Sequence, residues 1–314
     1  QSGFAITYSG STAVSFNTGF GDTDSQGAAA LSSLVSGGYV SQGKYSRVNN
    51  LPMDVITLGF SDAMLFVGSG PYFVDSNGDG KITVDDTPSD DAIGFAVDDL
   101  DLAATIYSDP DKVVPRMWAL SASVDYAGLV GIDFLELSAQ NLRIQANTGS
   151  DWKGTDVAPS VDFKATYGDA GLSVLTGGAP IAMAFDSSFI GVYVDKATLR
   201  ISEFVFVQGA LVLEAGQRQR VTVDTGTKFG DLMFAPTVAQ LTAAGATVSS
   251  DWRKVSNLEV ETMTMGIQNA NVFIGYGIPD FDSDVPVEDQ EGSFGLAIAD
   301  VNVALAIMKP TGDL

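Results

Sequence analysis

The sequence predicts an all-β protein: an elongated β-solenoid-like repeat array with one short helix per repeat. Three observations support this fold class. The chain contains a long internal duplication, most of it alternates apolar and polar residues between turn signals, and its composition suits strands. Charged residues make up only 18% while hydrophobic residues reach 45%, and 34 glycines are available for tight turns. Such a composition is unlike that of disordered chains.

The duplication covers most of the chain. Residues 1–113 recur, at an offset near 207, as residues 208–314. Between the windows 50–70 and 257–277, 8 of 21 positions are identical, and six of the other 13 exchange one apolar residue for another. A period of this length is what a slice of a longer array would show.

The duplication also suggests a division of the chain. Residues 1–113 would hold the C-terminal part of one repeat of about 207 residues and the start of the next. Residues 114–314 would hold the remainder of that repeat and the start of a further one, with no linker evident. The segment after residue 314 is then expected to resemble 114–207, and the outer strand edges are expected to need a neighbouring unit.

Strand follows strand along most of the sequence, and each run has one apolar face. A finer repeat lies inside the long one, because residues 93–102 match 190–199 and the segment from Phe294 resembles both. Periodic strands of this kind favour a solenoid or extended sheet, with abutting β-sandwich domains as the alternative. We favour the former, because the repeat boundary has no Pro- and Ser-rich linker.

Two segments at equivalent positions of the two copies depart from the alternation. Residues 24–36 and 231–244 each place apolar side chains at helical spacing, and Pro236 suits a first helical turn. We therefore expect one short helix in each repeat, packed against the β body.

The charge and the missing residue types exclude several functions. Lys and Arg number 16 against 39 Asp and Glu, giving a net charge of −23, so nucleic acid and anionic membranes are poor partners and cations are natural ones. Because Cys and His are both absent, thiolate nucleophiles, His-dependent triads and His- or Cys-ligated metals are excluded within this chain.

The apolar runs are far shorter than the roughly 18 residues of a membrane span, so we expect a soluble chain. It begins at Gln1 rather than Met, so we also expect it to be processed or excised from something longer.

The most specific local motif is a calcium loop at residues 75–86, which read DSNGDGKITVDD. Oxygen ligands stand at positions 1, 3 and 5, a glycine at position 6 permits the sharp turn, and a carboxylate closes the loop at position 12. The predicted ligands are Asp75, Asn77, Asp79, the Lys81 carbonyl, Thr83 or a water it holds, and Asp86. Aspartate at the last position resembles the loops of dockerin modules more than EF-hand sensors. Flanking strand residues place the loop in a β context, and a solvated acidic turn is the alternative.

The repeat alignment marks this loop as an elaboration of one copy. From Gly94 and Gly295 onward the offset falls from 207 to 201, so copy one has six additional residues around the loop. Copy two has a weaker candidate site that lacks the glycine at position 6, formed by Asp280, Asp282, Asp284 and Glu288. A shared acidic turn is the alternative there.

No catalytic constellation stands out, and we expect no enzyme. Asp98, Asp99, Asp101 and Asp195 lie in the strand repeat and are expected to face solvent rather than act as acid and base. The three tryptophans at 118, 152 and 252 are expected in the core or at its rim rather than on a shared sugar-binding platform.

Several phrases resemble the long β-repeats of giant bacterial secreted and surface proteins of the adhesin type. These are residues 119–124, 128–132, 142–149, 197–207, 272–275 and 295–298. Such proteins often carry calcium-binding modules, although the glycine-aspartate nonapeptide array of haemolysin repeats is missing here. The resemblance implies an extracellular or cell-surface location and a structural or adhesive role.

The function we expect is therefore a structural repeat segment of a long, calcium-stabilised extracellular bacterial protein, in an adhesin stalk, a surface layer or a filament. Its partners would be other copies or neighbouring repeats of the same long chain, with glycans as a further class. A carbohydrate-binding or carbohydrate-cleaving β-solenoid is the alternative. An apolar β-groove that carries lipid is the third possibility.

Overall fold

The computed structural model describes residues 3–80, 86–89, 91–226, 237–243, 245–250 and 253–311. The protein is mostly β, with 59% of residues in strands and 8% in helices. Its frame is a set of long strands: β1 (Gly3–Asn17), β2 (Arg47–Ser69), β5 (Ile93–Ser108), β6 (Met117–Val130), β7 (Leu135–Gly149), β11 (Phe189–Ile201), β12 (Val205–Asp224), β14 (Lys254–Tyr276) and β15 (Phe294–Pro310). The short strands are β3 (Phe73–Val74), β4 (Thr87–Pro88), β8 (Ser160–Val161), β9 (Leu172–Val174), β10 (Ile181–Met183) and β13 (Thr247–Val248).

The long strands form one open antiparallel sheet in which each pairs with the next long strand along the chain. The order is β1, β2, β5, β6, β7, β11, β12, β14 and β15, with β8 and β13 attached as short additions. Strands of 13 to 23 residues explain this meander, since antiparallel neighbours can be joined by a turn or loop. The all-β prediction is confirmed.

The duplicated segments form the same three-strand unit twice. Ser69 lies opposite Ile93 in the pair β2–β5, and the equivalent Tyr276 lies opposite Phe294 in β14–β15. In β1–β2 Phe4 faces Phe60, and in β12–β14 the equivalent Leu211 faces Ile267. The register follows the 207 and 201 offsets, so both copies are built to one pattern within one continuous sheet.

The two faces of the sheet differ sharply, and we name them the core face and the bare face. Along β2, Met53, Val55 and Thr57 are buried on the core face. Between them, Ile56 is exposed and Leu58 is half-buried on the bare face. This alternation is expected when one side of a strand is covered and the other is not.

The main core lies on the core face at the end of the sheet where β1 and β7 finish. Phe16, Tyr107 and Met117 from the strands pack there against Leu31 and Phe163 from the connecting segments. A smaller cluster around Leu241 and Leu258 lies at the equivalent place in copy two. The connections that leave this end therefore stabilise the sheet by covering its core face.

The helices are α1 (Ser25–Ala30), α2 (Ser32–Ser36), α3 (Phe163–Tyr167) and α4 (Val238–Ala243). The prediction of a single helix in the first segment is wrong, because the chain breaks at Leu31, whose side chain is fully buried. Serine side chains there bond to backbone carbonyls, as Ser32 does to Ala29, and so compete with a longer helix.

Helix α3 was not predicted at all. It has only five residues, too few to show a helical period, and its signals are an Asp162 N-cap and a Gly168 C-cap with φ of 87°. Helix α4 lies in the second predicted segment, whereas residues 231–236 and 244 lie outside the described residues.

A row of left-handed residues crosses the sheet at mid-height from β2 to β15, and the pairs β2–β5, β11–β12, β12–β14 and β14–β15 have register shifts there. Its members include Asp62, Asp99, Asn141, Asn269 and Asp300, all with φ between 50° and 55°. Asp and Asn adopt this left-handed conformation more readily than other residues with a Cβ atom. We call this row the bulge line, and it carries the acidic cluster described next.

Candidate functional site: an acidic cluster on the bulge line

Three carboxylates meet on the bulge line of copy one. One oxygen from each of Asp62, Asp99 and Asp101 lies within 4.8 Å of the others, the only such group of three within the part of the chain that the structure describes. Asp62 and Asp99 are exposed and Asp101 is half-buried. Carboxylate oxygens at this separation suit a hard cation, and the cluster could hold a metal ion.

Strand pairing explains why these residues meet. Asp62 bulges out of β2 opposite Asp101 of β5, and the Asp62 backbone N–H donates to the Asp101 carboxylate at 3.1 Å. Asp99 bulges out of β5 two residues earlier. Since Asp101 belongs to the alternate set of β5 residues that includes the buried Ala103, the cluster lies on the core face.

Burial and neighbouring negative charge both disfavour ionisation of Asp99 in the cluster. The pKa of Asp99 is raised from its ordinary value, first by partial burial and then by the carboxylates of Asp125, Asp101 and Asp62. Like charges at short range disfavour ionisation of each other. A bound cation would reverse this effect by favouring the charged forms.

Copy two keeps the geometry of the cluster but not its charge. The equivalents of Asp62, Asp99 and Asp101 are Asn269, Asp300 and Asn302. The Asn269 N–H donates to the Asn302 side-chain oxygen at 3.1 Å, as Asp62 does to Asp101. The hydrogen bond at the bulge therefore needs only an acceptor, and two additional carboxylates distinguish copy one.

The predicted calcium loop at 75–86 is closed by its own side chains. Asp75 accepts hydrogen bonds from the N–H groups of Gly78 and Gly80, at 2.7 and 2.9 Å. Asn77 accepts from the Asp79 N–H at 2.9 Å. Asp86 is buried and accepts from the Ser76 N–H and hydroxyl. The predicted ligands Lys81 and Thr83 lie outside the described residues.

The loop is bracketed by strands, as its flanks predict. Val74 pairs with Thr87 and Phe73 with Pro88 across its base. Tyr72, just before the loop, stacks on Phe66 with ring centroids 5.1 Å apart, and its hydroxyl donates to Asp98 at 2.9 Å. Burial and the adjacent Asp98 raise the pKa of Tyr72. Tyr72 therefore attaches the loop to the sheet at Asp98, which is the sequence neighbour of Asp99 in the acidic cluster.

The weaker candidate site in copy two is organised by an amide instead. The Gln290 side chain accepts from the Asp280 N–H at 2.8 Å and donates to the carbonyls of Asp280 and Val285 at 2.7 and 2.9 Å. Asp282 and Asp284 are exposed, and Glu288 lies in the short 3-10 helix Val287–Asp289. The Gln290 side chain therefore stabilises this turn by bonding to its backbone.

The acidic cluster was missed at the sequence level, where Asp98, Asp99 and Asp101 were expected simply to face solvent. Its signal was present in the repeat alignment, because Asp62 and Asp101 of copy one stand where copy two has Asn269 and Asn302.

The expectation that the tryptophans lie in the core or at its rim holds for Trp152, which is buried with its ring N–H donating to the Thr18 carbonyl at 2.8 Å. Trp118 is 40% exposed on the bare face.

Comparison with known proteins adds no relative: no protein-family model, curated protein or solved structure matches this chain. Among the helices of the described residues, none is both long and apolar enough to cross a membrane.

Proposed function

We propose that this chain is a non-enzymatic structural repeat segment of a long, calcium-stabilised extracellular bacterial protein, in an adhesin stalk, a surface layer or a filament. The observation that carries the proposal is the three-strand unit built twice in one register within one sheet. Catalytic or ligand-binding domains do not need such repetition, whereas an array that grows by adding equivalent strands does.

Strand order supports the same function. In copy one, β5 pairs with β2 on one edge and with β6 on the other. Its equivalent β15 pairs with β14, and within the described residues its second edge has no strand. Because β15 has the sequence pattern of β5, which is paired on both edges, its open edge suits the addition of a further strand from the same array. The elongated-sheet form of the array follows from this proposal.

Electron microscopy of the native material tests the structural role. We expect filaments or a layer with an axial repeat that matches the spacing of successive three-strand units. Discrete particles that carry no repeat would contradict the proposal.

We assign Ca²⁺ to the loop at 75–86, with the acidic cluster as the second cation site in copy one. Calcium should raise the melting temperature and a chelator should lower it, because an ion that binds only the folded state stabilises it by about 2.7 kcal/mol at one hundred times its Kd. No shift in melting temperature would refute the calcium assignment.

Matched variants separate the two sites. Asp75→Asn with Asp79→Asn should abolish most of the calcium-dependent shift, while Asp280→Asn with Asp282→Asn in copy two should leave it unchanged. Asp62→Asn with Asp101→Asn gives copy one the residues of copy two. This variant measures how much of the calcium-dependent shift in melting temperature comes from the acidic cluster. Calorimetric melting with calcium or chelator measures all three.

A further inference from the structure

The bare face of the sheet carries apolar rows that run from strand to strand and expose many of their large side chains. Strand registers connect residues on this face from one edge of the sheet to the other. One row runs from Phe4 through Ile144 to Leu305, and the next runs from Ile6 through Ala146 to Ile307. Each includes all nine long strands. Every member of both rows is Ala, Val, Ile, Leu, Met or Phe.

A third row continues the same face toward the bulge line, from Ala63 through Leu142 to Val303. It too contains only aliphatic residues. The three rows therefore carry neither charge nor a side-chain hydrogen-bonding group. The carboxylates of the bulge line point to the other face, where Asp101 lies beside the buried Ala103 in the alternation of β5.

Exposure shows that large side chains of these rows are uncovered on several strands, while Ala146 and Val124, at 3% and 7% exposed, are buried among their neighbours. Ile6 is 63% exposed, Ile190 47% and Met263 39%, although all three lie in one row. On the core face of β5 and β6, Ala103 and Ala119 are buried. Contiguous exposed apolar surface of more than a few hundred Å² marks an interaction site.

The size of the face fits a stable protein interface. Nine strands at about 4.8 Å and three rows at about 6.8 Å give a patch of roughly 40 by 20 Å. Two such patches in contact would bury roughly 1,600 Å² in total, which is the size of a standard specific interface.

The charge and shape of the bare face indicate which partner it can bind. With a net charge of −23 and no cation in the rows, the face offers nothing to the phosphate of a lipid headgroup. The rows do offer side chains of alternating size, such as Ile144, which lies beside Ala122 in its own row and next to Ala146 in the adjacent row. Large and small side chains side by side let two sheets interdigitate at about 10 Å.

We propose that the bare face binds the bare face of a second copy of this chain, forming a two-layer β-sandwich across the interface. The inference rests on the proposed structural function, because it names the surface through which copies associate. The carboxylates of the acidic cluster then lie on the outer face of each copy, away from the other layer.

The mass of the 314-residue chain in solution tests the proposal. Sedimentation velocity should give the mass of two chains for the wild type. The variant Ile190→Lys with Met263→Lys should give the mass of one chain with an unchanged circular dichroism spectrum, because it places charges in the interface. The matched control Ser121→Lys with Thr264→Lys alters the core-face row of the same sheet and should keep the mass of two chains.

Cysteine labelling provides a second readout that does not depend on a disruptive variant. The chain has no cysteine, so each introduced thiol is unique. A maleimide should label Ile190→Cys on the bare face about tenfold more slowly than Ser123→Cys on the core face, because burial protects a thiol from reaction. Dilution below the dissociation constant should remove the difference.

Two results would overturn the proposal. A wild-type chain with the mass of one copy excludes the sandwich, and lipid recovered from such a monomer by mass spectrometry identifies acyl chains as the occupant. A dimer that survives Ile190→Lys with Met263→Lys uses another surface. Filament formation is measured separately by microscopy. A dimer that forms no filaments would refute the proposed structural array but would still support the interface.

Discussion

At the bulge line, a carboxylate and an amide accept the same hydrogen bond but differ in charge. Asp101 accepts from the Asp62 N–H, and Asn302 accepts from the Asn269 N–H at the same distance. Around Asp99 the additional carboxylates act against folding, because burial and neighbouring charge raise its pKa. The carboxylates of the cluster therefore lower stability in the absence of a cation.

Asp101→Asn should raise the melting temperature at neutral pH in the absence of divalent cations. The raised pKa means that folded Asp99 holds its proton to higher pH than in the unfolded chain. Stability is therefore lost as the pH rises from the ordinary value of 3.8 through the raised one, and it stays lowered above that window. The gain should be less than about 1 kcal/mol, because exposed charges are screened.

Thermal melts of Asp101→Asn and wild type from pH 3 to pH 8 check this result. The two curves should converge below the ordinary pKa of Asp99, where its carboxyl is protonated in both states. A variant less stable than wild type at neutral pH would show that the carboxylate contributes more than a hydrogen-bond acceptor.

At the scale of elements, one buried amide bonds the segment between β7 and β11 to the sheet in three places. Asn147 is fully buried, and its side chain donates to the carbonyls of Val161 and Ser187 at 2.8 Å each. It also accepts from the Val161 N–H at 3.2 Å. The three bonds position β8 and α3, which carry Phe163 into the main core.

Asn147→Ala should lower the free energy of unfolding by about 3 kcal/mol, because buried backbone groups lose their partners. Urea unfolding measures the loss. The control is Asn141→Gly, which removes a single exposed bond to Asp195 and keeps the left-handed conformation accessible. That control should cost less than about 1 kcal/mol. Equal losses in the two variants would mean that Asn147 does not anchor the segment.

At the scale of the whole molecule, an excess of negative charge is spread over one broad sheet. Only 16 basic residues oppose 39 acidic ones, and the ion pairs among the described residues that involve Lys44 and Lys164 are partly exposed. Mutual repulsion therefore opposes compaction, and screening should relieve it.

Raising sodium chloride from about 10 mM to about 0.5 M should raise the melting temperature, since the Debye length falls from about 30 Å to a few Å. Magnesium chloride at matched ionic strength is the control for site binding. Calcium should exceed both salts if the loop binds it, and a melting temperature that falls with salt would contradict the role of repulsion.

Much of the fold could be predicted from the sequence, because alternation and duplication are local and repeated signals. The strands around Leu120 and Ile144 and the equivalence of Ser69 with Tyr276 are visible without coordinates. Helix α3 was missed because five residues carry no period. The acidic cluster was missed because its members meet only through the register of β2 on β5, which depends on pairing across the chain.

The sequential order of the strands also determines how the molecule responds to force. Tension applied across the sheet, from β1 at one edge to β15 at the other, loads the hydrogen bonds of each pair one after another. Tension along the strands would load all the bonds of a pair together. A stalk pulled across its strands would therefore lengthen in steps at low force, each step releasing one strand, and would act as an extensible tether.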